Sequence, residues 1–355
     1  MKELLNIKVD ELLISEFSNL TVALRQMDKV DRKLLIVVDS KNKYKSILSV
    51  GDIQRHLIEY QDFGASVSSI LRPIVRVANT TQSLEEIKKD MLKFRTEFMP
   101  VVDNEKLIGV YFWEDIFGDS QRKKEVSLNI PVVIMAGGRG TRLKPLTNII
   151  PKPLIPISEK TIIEEIMDKF VQVGCHDYYL SVNYKVETIK HYFAALNNNN
   201  YNIEYFQEDK PLGTAGSMYL LKGKINSSFF VSNCDILIDQ DIEEIYKYHK
   251  ENNNLITIVS ALKHYKIPYG TIKTGKYGVL TEMSEKPELT FQINTGVYLL
   301  EPQVLDLIPD NKFYHITQLI EDVRLGEGEV GVFPISEGAW QDIGDWDEYL
   351  KYIKK

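Results

Sequence analysis

The chain carries a run of residues suited to phosphate chemistry. Ala136-Gly137-Gly138-Arg139-Gly140-Thr141-Arg142 follows directly on the short apolar run PVVIM (131–135). Such a run reads as a buried strand. A strand that opens into glycines lets backbone N–H groups close on a phosphate or on the edge of a base. Two familiar phosphate loops are excluded. G-x-G-x-x-G lacks its third glycine, because Leu143 stands there, and no window fits G-x-x-x-x-G-K-[ST]. Cations follow. Arg142 is a fixed fork of donors, and Lys152, between Pro151 and Pro153, is a compact point charge. Carboxylates come later. Asp235 closes the apolar run FFVSNCD (229–235), and Asp342 lies beside a glycine in WQDIG (340–344). A carboxylate after a strand faces ligand in many α/β sheets, although it is also a common helix cap. Cys234 has no histidine near it in sequence and reads as a packed thiol.

The run AGGRGTRLKPLTNIIPKPLIPI resembles the signature of sugar-1-phosphate nucleotidyltransferases. Further matching segments follow in family order: EDKPLGTAGSM (208–218), NCD (233–235), PYGTI (268–272), SEKP (284–287), NTGVY (294–298) and WQDIG (340–344). The resemblance implies that a nucleoside triphosphate and a sugar 1-phosphate give a nucleotide sugar and pyrophosphate. It implies that Asp235 and Asp342 share one Mg²⁺, an ion that takes one or two carboxylates plus phosphates. The two reactants are anions, so the site must cancel repulsion and align them. Arg142 suits the leaving pyrophosphate, and Lys152 suits the α-phosphate and the incoming phosphate. Ala136, Gly137, Gly138, Gly140, Thr141, Gly213 and Thr214 are the expected nucleotide-binding positions. Sugar recognition falls to Gly270, Glu285, Lys286, Asn294 and Thr295. Glu285 can accept from vicinal hydroxyls, Asn294 can both accept and donate, and Lys286 can reach the sugar phosphate.

The base is read from one position. Related thymidylyl- and uridylyltransferases carry a glutamine five residues before the glycine matching Gly213; here Glu208 stands there. An ionised carboxylate only accepts, and guanine presents two adjacent donors, which points to GTP. Gln207 is the neighbouring residue, and a shift of one position would reverse that inference.

Ahead of this region lies an internal repeat. Val37-Val38-Asp39 recurs as Val101-Val102-Asp103, and SILSVGDIQRHL recurs as LIGVYFWEDIF. A helical pattern precedes each copy, so the unit is helix, strand, strand, helix, used twice. It resembles a pair of CBS modules, which commonly bind adenine nucleotides. Ser49 and Asp52 offer a hydroxyl and a carboxylate at the spacing that suits AMP, ADP or ATP. The second copy has Phe112 where a hydroxyl is expected before Asp115. The other reading is that the pair only assembles the protein, as a homo-oligomer. Such a pair ahead of this catalytic region resembles the glucosamine-1-phosphate guanylyltransferases of legionaminic acid synthesis in surface glycosylation. Mannose, glucose and heptose 1-phosphates are the alternative sugars. The alternative functions are a nucleotide-sensing binding protein with a degenerate transferase domain and guanylyl transfer to a molybdenum cofactor.

The elements that position these residues follow from pattern. Helical stretches alternate with strands after Pro131, which argues an α/β fold with a mostly parallel, Rossmann-like (GT-A-like) sheet. TIIEEIMDKFVQVG (161–174) places its apolar residues on one face, with Thr161 and Glu164 as a capping box. The expected domains are CBS modules at 1–60 and 61–120, a linker at 121–129 and the transferase domain at 130–355.

Composition sets the frame. The chain has 355 residues, enough for two or three domains, and 44% of them are hydrophobic. The two cysteines exclude a disulfide framework and a cysteine zinc cluster. The net charge of −7 lies wholly after residue 129, because the first 129 residues carry 20 basic and 20 acidic residues. Neither half is basic enough for a nucleic-acid surface. No apolar stretch is long enough for a membrane span and the start does not read as a signal peptide, so a cytoplasmic protein is expected.

Overall fold

The computed structural model describes residues 9–353 except 73–75, 95, 97, 114–115 and 117–126. Asp115 and most of the expected linker therefore lie outside the described residues. The chain forms two compact units, 1–124 and 125–355. Among the described residues, no helix is long and apolar enough to cross a membrane.

The first unit repeats one motif. Helix Leu20–Val30 leads into an antiparallel pair, Leu34–Val38 with Tyr44–Ser49, and then helix Val50–Tyr60. Helix Leu84–Phe94 leads into Phe98–Asp103 paired with Lys106–Phe112. The register slips between Val37 and Val38 in one pair and between Val101 and Val102 in the other, the same point of the repeat. The two copies share a core, in which Leu34, Ile36 and Ile47 pack with Val110 and Phe112.

The second unit is built on a seven-stranded sheet. Its order is Asn202–Gln207, Asp177–Val182, Val132–Met135, Phe229–Asn233, Glu288–Leu300, Ile256–Lys266 and Val330–Ile335. Glu288–Leu300 runs antiparallel to both of its neighbours; every other neighbouring pair is parallel. Val132–Met135 is almost wholly buried, as its unbroken apolar run requires. Helix Ile162–Val171 carries the capping box that its sequence predicts: the Thr161 hydroxyl accepts from the Glu164 N–H (3.4 Å), and the Glu164 carboxylate accepts from the Thr161 N–H (3.0 Å). Its buried face, Ile162, Ile163, Ile166, Met167 and Phe170, is the one the spacing picks out. The Phe170 ring stands 5.1 Å from that of Phe230, which ties helix to sheet.

Ser127–Asn129, expected as linker, is packed onto this unit. The Leu128 N–H donates to the Val173 carbonyl (2.9 Å), and Gly174, at φ +80, leaves no room for a Cβ against Ser127.

Candidate active site

Strand order reverses between Val132–Met135 and Phe229–Asn233. After Val132–Met135 the chain adds strands on one side, and with Phe229–Asn233 it passes to the other. In an open α/β sheet the crevice at the carboxyl ends of two such strands binds ligand. One of these strands opens into the glycine turn at Ala136 and the other runs on to Asp235.

The glycine turn is shaped by close approach. The Ala136 N–H donates to the Ser181 carbonyl (2.9 Å). Gly140 sits at φ +61, and a Cβ there would meet Thr147 Cγ2 at 2.8 Å and Lys152 Cβ at 2.9 Å. Both the backbone conformation and the space demand glycine. Gly138 has nothing within 4 Å of its Cβ position and is exposed, as are Thr141 and Arg142. This leaves an open face beside the turn.

A two-strand ribbon brings the charged residues together. Ile236–Ile238 pairs antiparallel with Trp340–Asp342, so that Ile236 faces Asp342, and the Ile343 N–H donates to the Asp235 carbonyl (2.8 Å). Lys152 and Asp235 are each 8% exposed, and the Lys152 ammonium donates to Asp235 Oδ2. Arg142 Nη2 lies 3.9 Å from the same oxygen. A Cβ on Gly344 would lie 2.5 Å from Asp342 Oδ1, 2.6 Å from Arg142 Nη2 and 3.0 Å from Asp235 Oδ2. Three residues from distant parts of the chain thus meet at Gly344, and Lys152 joins them through Asp235.

Asp342 Oδ1 is buried and has no hydrogen-bond partner. Burial pushes the Asp342 carboxyl above its ordinary range, and the Asp235 charge adds to the rise. An orphaned buried carboxylate oxygen beside a second carboxylate fits a hard divalent cation. Among the described residues no group of three or more His, Cys, Asp or Glu is placed to hold a metal ion. A cation here would have two protein carboxylates and would need substrate oxygens to complete its shell, which is the habit of Mg²⁺. Cys234 is buried, and burial pushes its thiol up to about 12, so it is no nucleophile at neutral pH.

Glu208 stands beside the glycine turn. Its Oε1 is 3.6 Å from the position of a Gly137 Cβ, and its Oε2 accepts from the Leu212 N–H (3.0 Å). Burial raises its carboxyl above the ordinary range. Gln207 is exposed at the end of its strand. Gly213 and Thr214 have structural work as well. Gly213, at φ +82, would place a Cβ 2.7 Å from the Tyr314 carbonyl oxygen, and the Thr214 hydroxyl accepts from the Ile316 N–H (2.9 Å) at the start of helix Ile316–Leu325.

The expected sugar residues divide. Gly270 and Glu285 flank the paired strands Thr271–Thr274 and Leu280–Ser284, and a Gly270 Cβ would lie 3.0 Å from Glu285 Oε2. Lys286 is exposed at φ +45, and Asn294 is exposed with its Oδ1 accepting from the Gly296 N–H (3.0 Å). Thr295 differs. It is 2% exposed, and its hydroxyl donates to the Val259 carbonyl (2.8 Å), at the bulge between Ile258 and Ser260. Its hydroxyl is taken up by backbone, donating to Val259 and accepting from the Val297 N–H (3.2 Å).

Sequence reasoning passed over the residues that hold the signature loop. The Tyr184 hydroxyl donates to the Thr147 carbonyl (3.2 Å), the Lys185 ammonium to the carbonyls of Asn148 (2.6 Å) and Ile149 (2.7 Å), and the Trp346 indole to that of Lys144 (2.8 Å). None of them belongs to a periodic pattern or a recognised signature.

In the first unit, Ser49 and Asp52 meet each other. The Ser49 hydroxyl donates to Asp52 Oδ2 (2.7 Å), and the pair forms the capping box of helix Val50–Tyr60. Arg72 Nε lies 2.8 Å from Asp52 Oδ1, Arg55 also donates to that oxygen, and Arg72 Nη2 donates to the Ser49 hydroxyl (3.0 Å). Burial alone would raise the Asp52 carboxyl; its hydrogen bonds with Arg72 and Ser49 outweigh that and hold it low. Phe112 is buried under the Arg32 guanidinium, whose carbon lies 4.6 Å from the ring centroid.

A mostly parallel sheet of this order, with charged residues gathered where the strand order reverses, defines a doubly wound α/β protein. The model of the nucleotidyl transferase family matches residues 131–355, and the chain belongs to that family. The CBS domain model matches residues 67–119. The mannose-1-phosphate guanyltransferase 2 of Candida glabrata is 33% identical over 229 residues, which cover 61% of this chain and 62% of the relative. The UTP–glucose-1-phosphate uridylyltransferase of Synechocystis sp. is 31% identical over 241 residues, 62% of each chain. The chain thus spans about 62% of the length of these curated relatives. A solved structure from Bacillus anthracis, provisionally described as a glucose-1-phosphate thymidylyltransferase, superposes with a TM-score of 0.51 at 20% identity. It covers 63% of this chain and 94% of that one, and speaks for the fold alone.

Proposed function

We propose that the protein joins a nucleoside triphosphate, GTP, to a sugar 1-phosphate and releases pyrophosphate. The observation that carries this is the meeting of Arg142, Asp235 and Asp342 at Gly344, with Lys152 paired to Asp235, where strand order reverses. An oxygen of the sugar phosphate bonds to the α-phosphorus in line with the departing group. The bond from the α-phosphorus to the bridging oxygen breaks, and pyrophosphate leaves with its electron pair. Lys152 offers one buried positive charge to both reacting phosphates. Arg142, more exposed, offers a fork to the leaving pyrophosphate. Asp235 and Asp342 would hold Mg²⁺, which when bound supplies further positive charge against the phosphate oxygens. The reaction needs no covalent enzyme intermediate, in keeping with the buried Cys234 thiol.

Glu208 beside Gly137 favours guanine, because its carboxylate can accept from the two adjacent donors of that base. The guanyltransferase relative supports the same choice. Glu285, Lys286 and Asn294 are the sugar-facing groups, and glucosamine 1-phosphate and mannose 1-phosphate are the first sugars to test. The first unit would tune the enzyme through an adenine nucleotide that exchanges for the arginine contacts on Ser49 and Asp52. The test is a matrix of five nucleoside triphosphates against several sugar 1-phosphates, read as pyrophosphate release. The proposal expects release only when both substrates are present, and fastest with GTP. Release from GTP alone, or from no pair, would remove it.

A further inference from the structure

We propose that Lys185 is a positioning residue that clamps the loop between Arg142 and Lys152, with Tyr184 as its aid. This rests on the transferase reading above.

Lys185 breaks three local rules. It is not glycine, yet it sits in the left-handed region, at φ 54 and ψ 39. It occupies the N-cap of helix Val186–Leu196 without a side-chain cap, where Ser, Thr, Asp or Asn would satisfy the free N–H groups. It also brings a positive charge to the positive end of that helix. A residue that is wrong for its own backbone, cap and dipole is retained for something elsewhere.

Its side chain shows what that is. The ammonium donates to the carbonyls of Asn148 (2.6 Å) and Ile149 (2.7 Å), which close the short 3-10 turn Leu146–Asn148. A lysine on the last carbonyls of a helical turn is favourable, and each bond is charge-assisted. Tyr184 adds two ties, from its hydroxyl to the Thr147 carbonyl (3.2 Å) and from its N–H to the Gly137 carbonyl (3.4 Å). Thr147 passes the contact on, its hydroxyl donating to the Gly140 carbonyl (2.9 Å). The next residue back, Asn183, donates from Nδ2 to the Glu208 carbonyl (3.2 Å). One three-residue turn therefore touches the glycine turn, the loop that joins the two cations and the residue read as the base selector. Lys185 itself reaches no reacting group through any of these bonds; it acts through the loop.

Displacement of reacting groups by about 1 Å can cost on the order of a hundredfold in rate. The test compares Lys185→Gly and Lys185→Arg with wild type in the full chain. Glycine relieves the left-handed backbone and removes the ammonium. The expected result for Lys185→Gly is an unchanged or higher melting temperature, kcat lower by about tenfold or more, and a KM for sugar phosphate that hardly moves. Lys185→Arg keeps a cation and should recover part of kcat. In the absence of any substrate, the amides of Asn148, Ile149 and Ile150 should exchange hydrogen faster in Lys185→Gly. Wild-type kcat in Lys185→Gly, or unchanged exchange at those amides, would overturn the proposal. So would a melting temperature that falls in step with kcat, because that is the behaviour of a merely structural residue. If wild type transfers no nucleotide at all, the transferase reading fails, and the exchange measurement still decides whether the clamp exists.

Discussion

Replacing Glu208 with glutamine isolates the base-reading step. The two side chains have the same shape. Glutamine keeps one oxygen, which can still accept from the Leu212 N–H now bonded to Glu208 Oε2 at 3.0 Å, so the fold should be unaffected. What changes is the other oxygen, Oε1, the one beside Gly137. It becomes an NH₂ group and would face the donors of guanine donor to donor. A bidentate pair to a base is worth about 1–3 kcal/mol of discrimination, which at 1.4 kcal/mol per decade is roughly 5- to 150-fold. The assay is kcat/KM for GTP, UTP and dTTP with one sugar 1-phosphate, followed as pyrophosphate release. GTP should lose between about one and two decades relative to UTP. The pH dependence carries the same sign. Burial raises the Glu208 carboxyl, so its acceptor form is present above that raised value and is lost as pH falls through it. The preference of wild type for GTP should therefore decline toward acid, while Glu208→Gln shows no such decline. An unchanged GTP-to-UTP ratio in Glu208→Gln would refute the reasoning.

Other predictions follow from the same geometry. Lys152→Met leaves the buried Asp235 carboxylate with only the more distant Arg142 as cation, and breaking such a buried pair costs about 3–5 kcal/mol; a drop in melting temperature of roughly 10 °C is expected for a unit of this size, partly restored by Mg²⁺ in differential scanning calorimetry. Gly140→Ala meets both a left-handed backbone and close contacts with Thr147 and Lys152, so it should lower stability by about 1–3 kcal/mol. Gly138→Ala, with open space around it, should leave urea unfolding unchanged. Isothermal calorimetry with AMP, ADP and ATP should show binding that Asp52→Ala abolishes, and heats that do not depend on Asp52 would end the adenine-nucleotide reading of the first unit.

Much of the site was legible in the sequence because its residues sit where the backbone announces them. The apolar run 131–135 followed by glycines marked a strand end, and the run FFVSNCD marked another, which closes at Asn233, two residues before Asp235. The helix at 162–171 declared itself through its capping box and its apolar face. Position on a three-dimensional ribbon was not legible. Nothing local shows that Ile236 pairs with Asp342, which is what brings the two aspartates together. The motif around Thr295 does not reveal the bulge whose carbonyl takes its hydroxyl. Ser49 and Asp52 show a different limit. A hydroxyl three residues before a carboxylate is also the spacing of a capping box, and the structure realises that use. Lys185 was passed over because its role depends on carbonyls 36 and 37 residues away.

The central claim is that this chain transfers a nucleotidyl group between two phosphates at the Arg142–Lys152–Asp235–Asp342 cluster. The direct measurement follows the α-phosphate label of GTP incubated with a sugar 1-phosphate and Mg²⁺, with wild type and with Asp235→Asn. The account predicts label in a nucleotide sugar, one pyrophosphate for each product, and loss of both in the variant. Label that remains in GTP with wild type, or transfer that persists undiminished in Asp235→Asn, would contradict it.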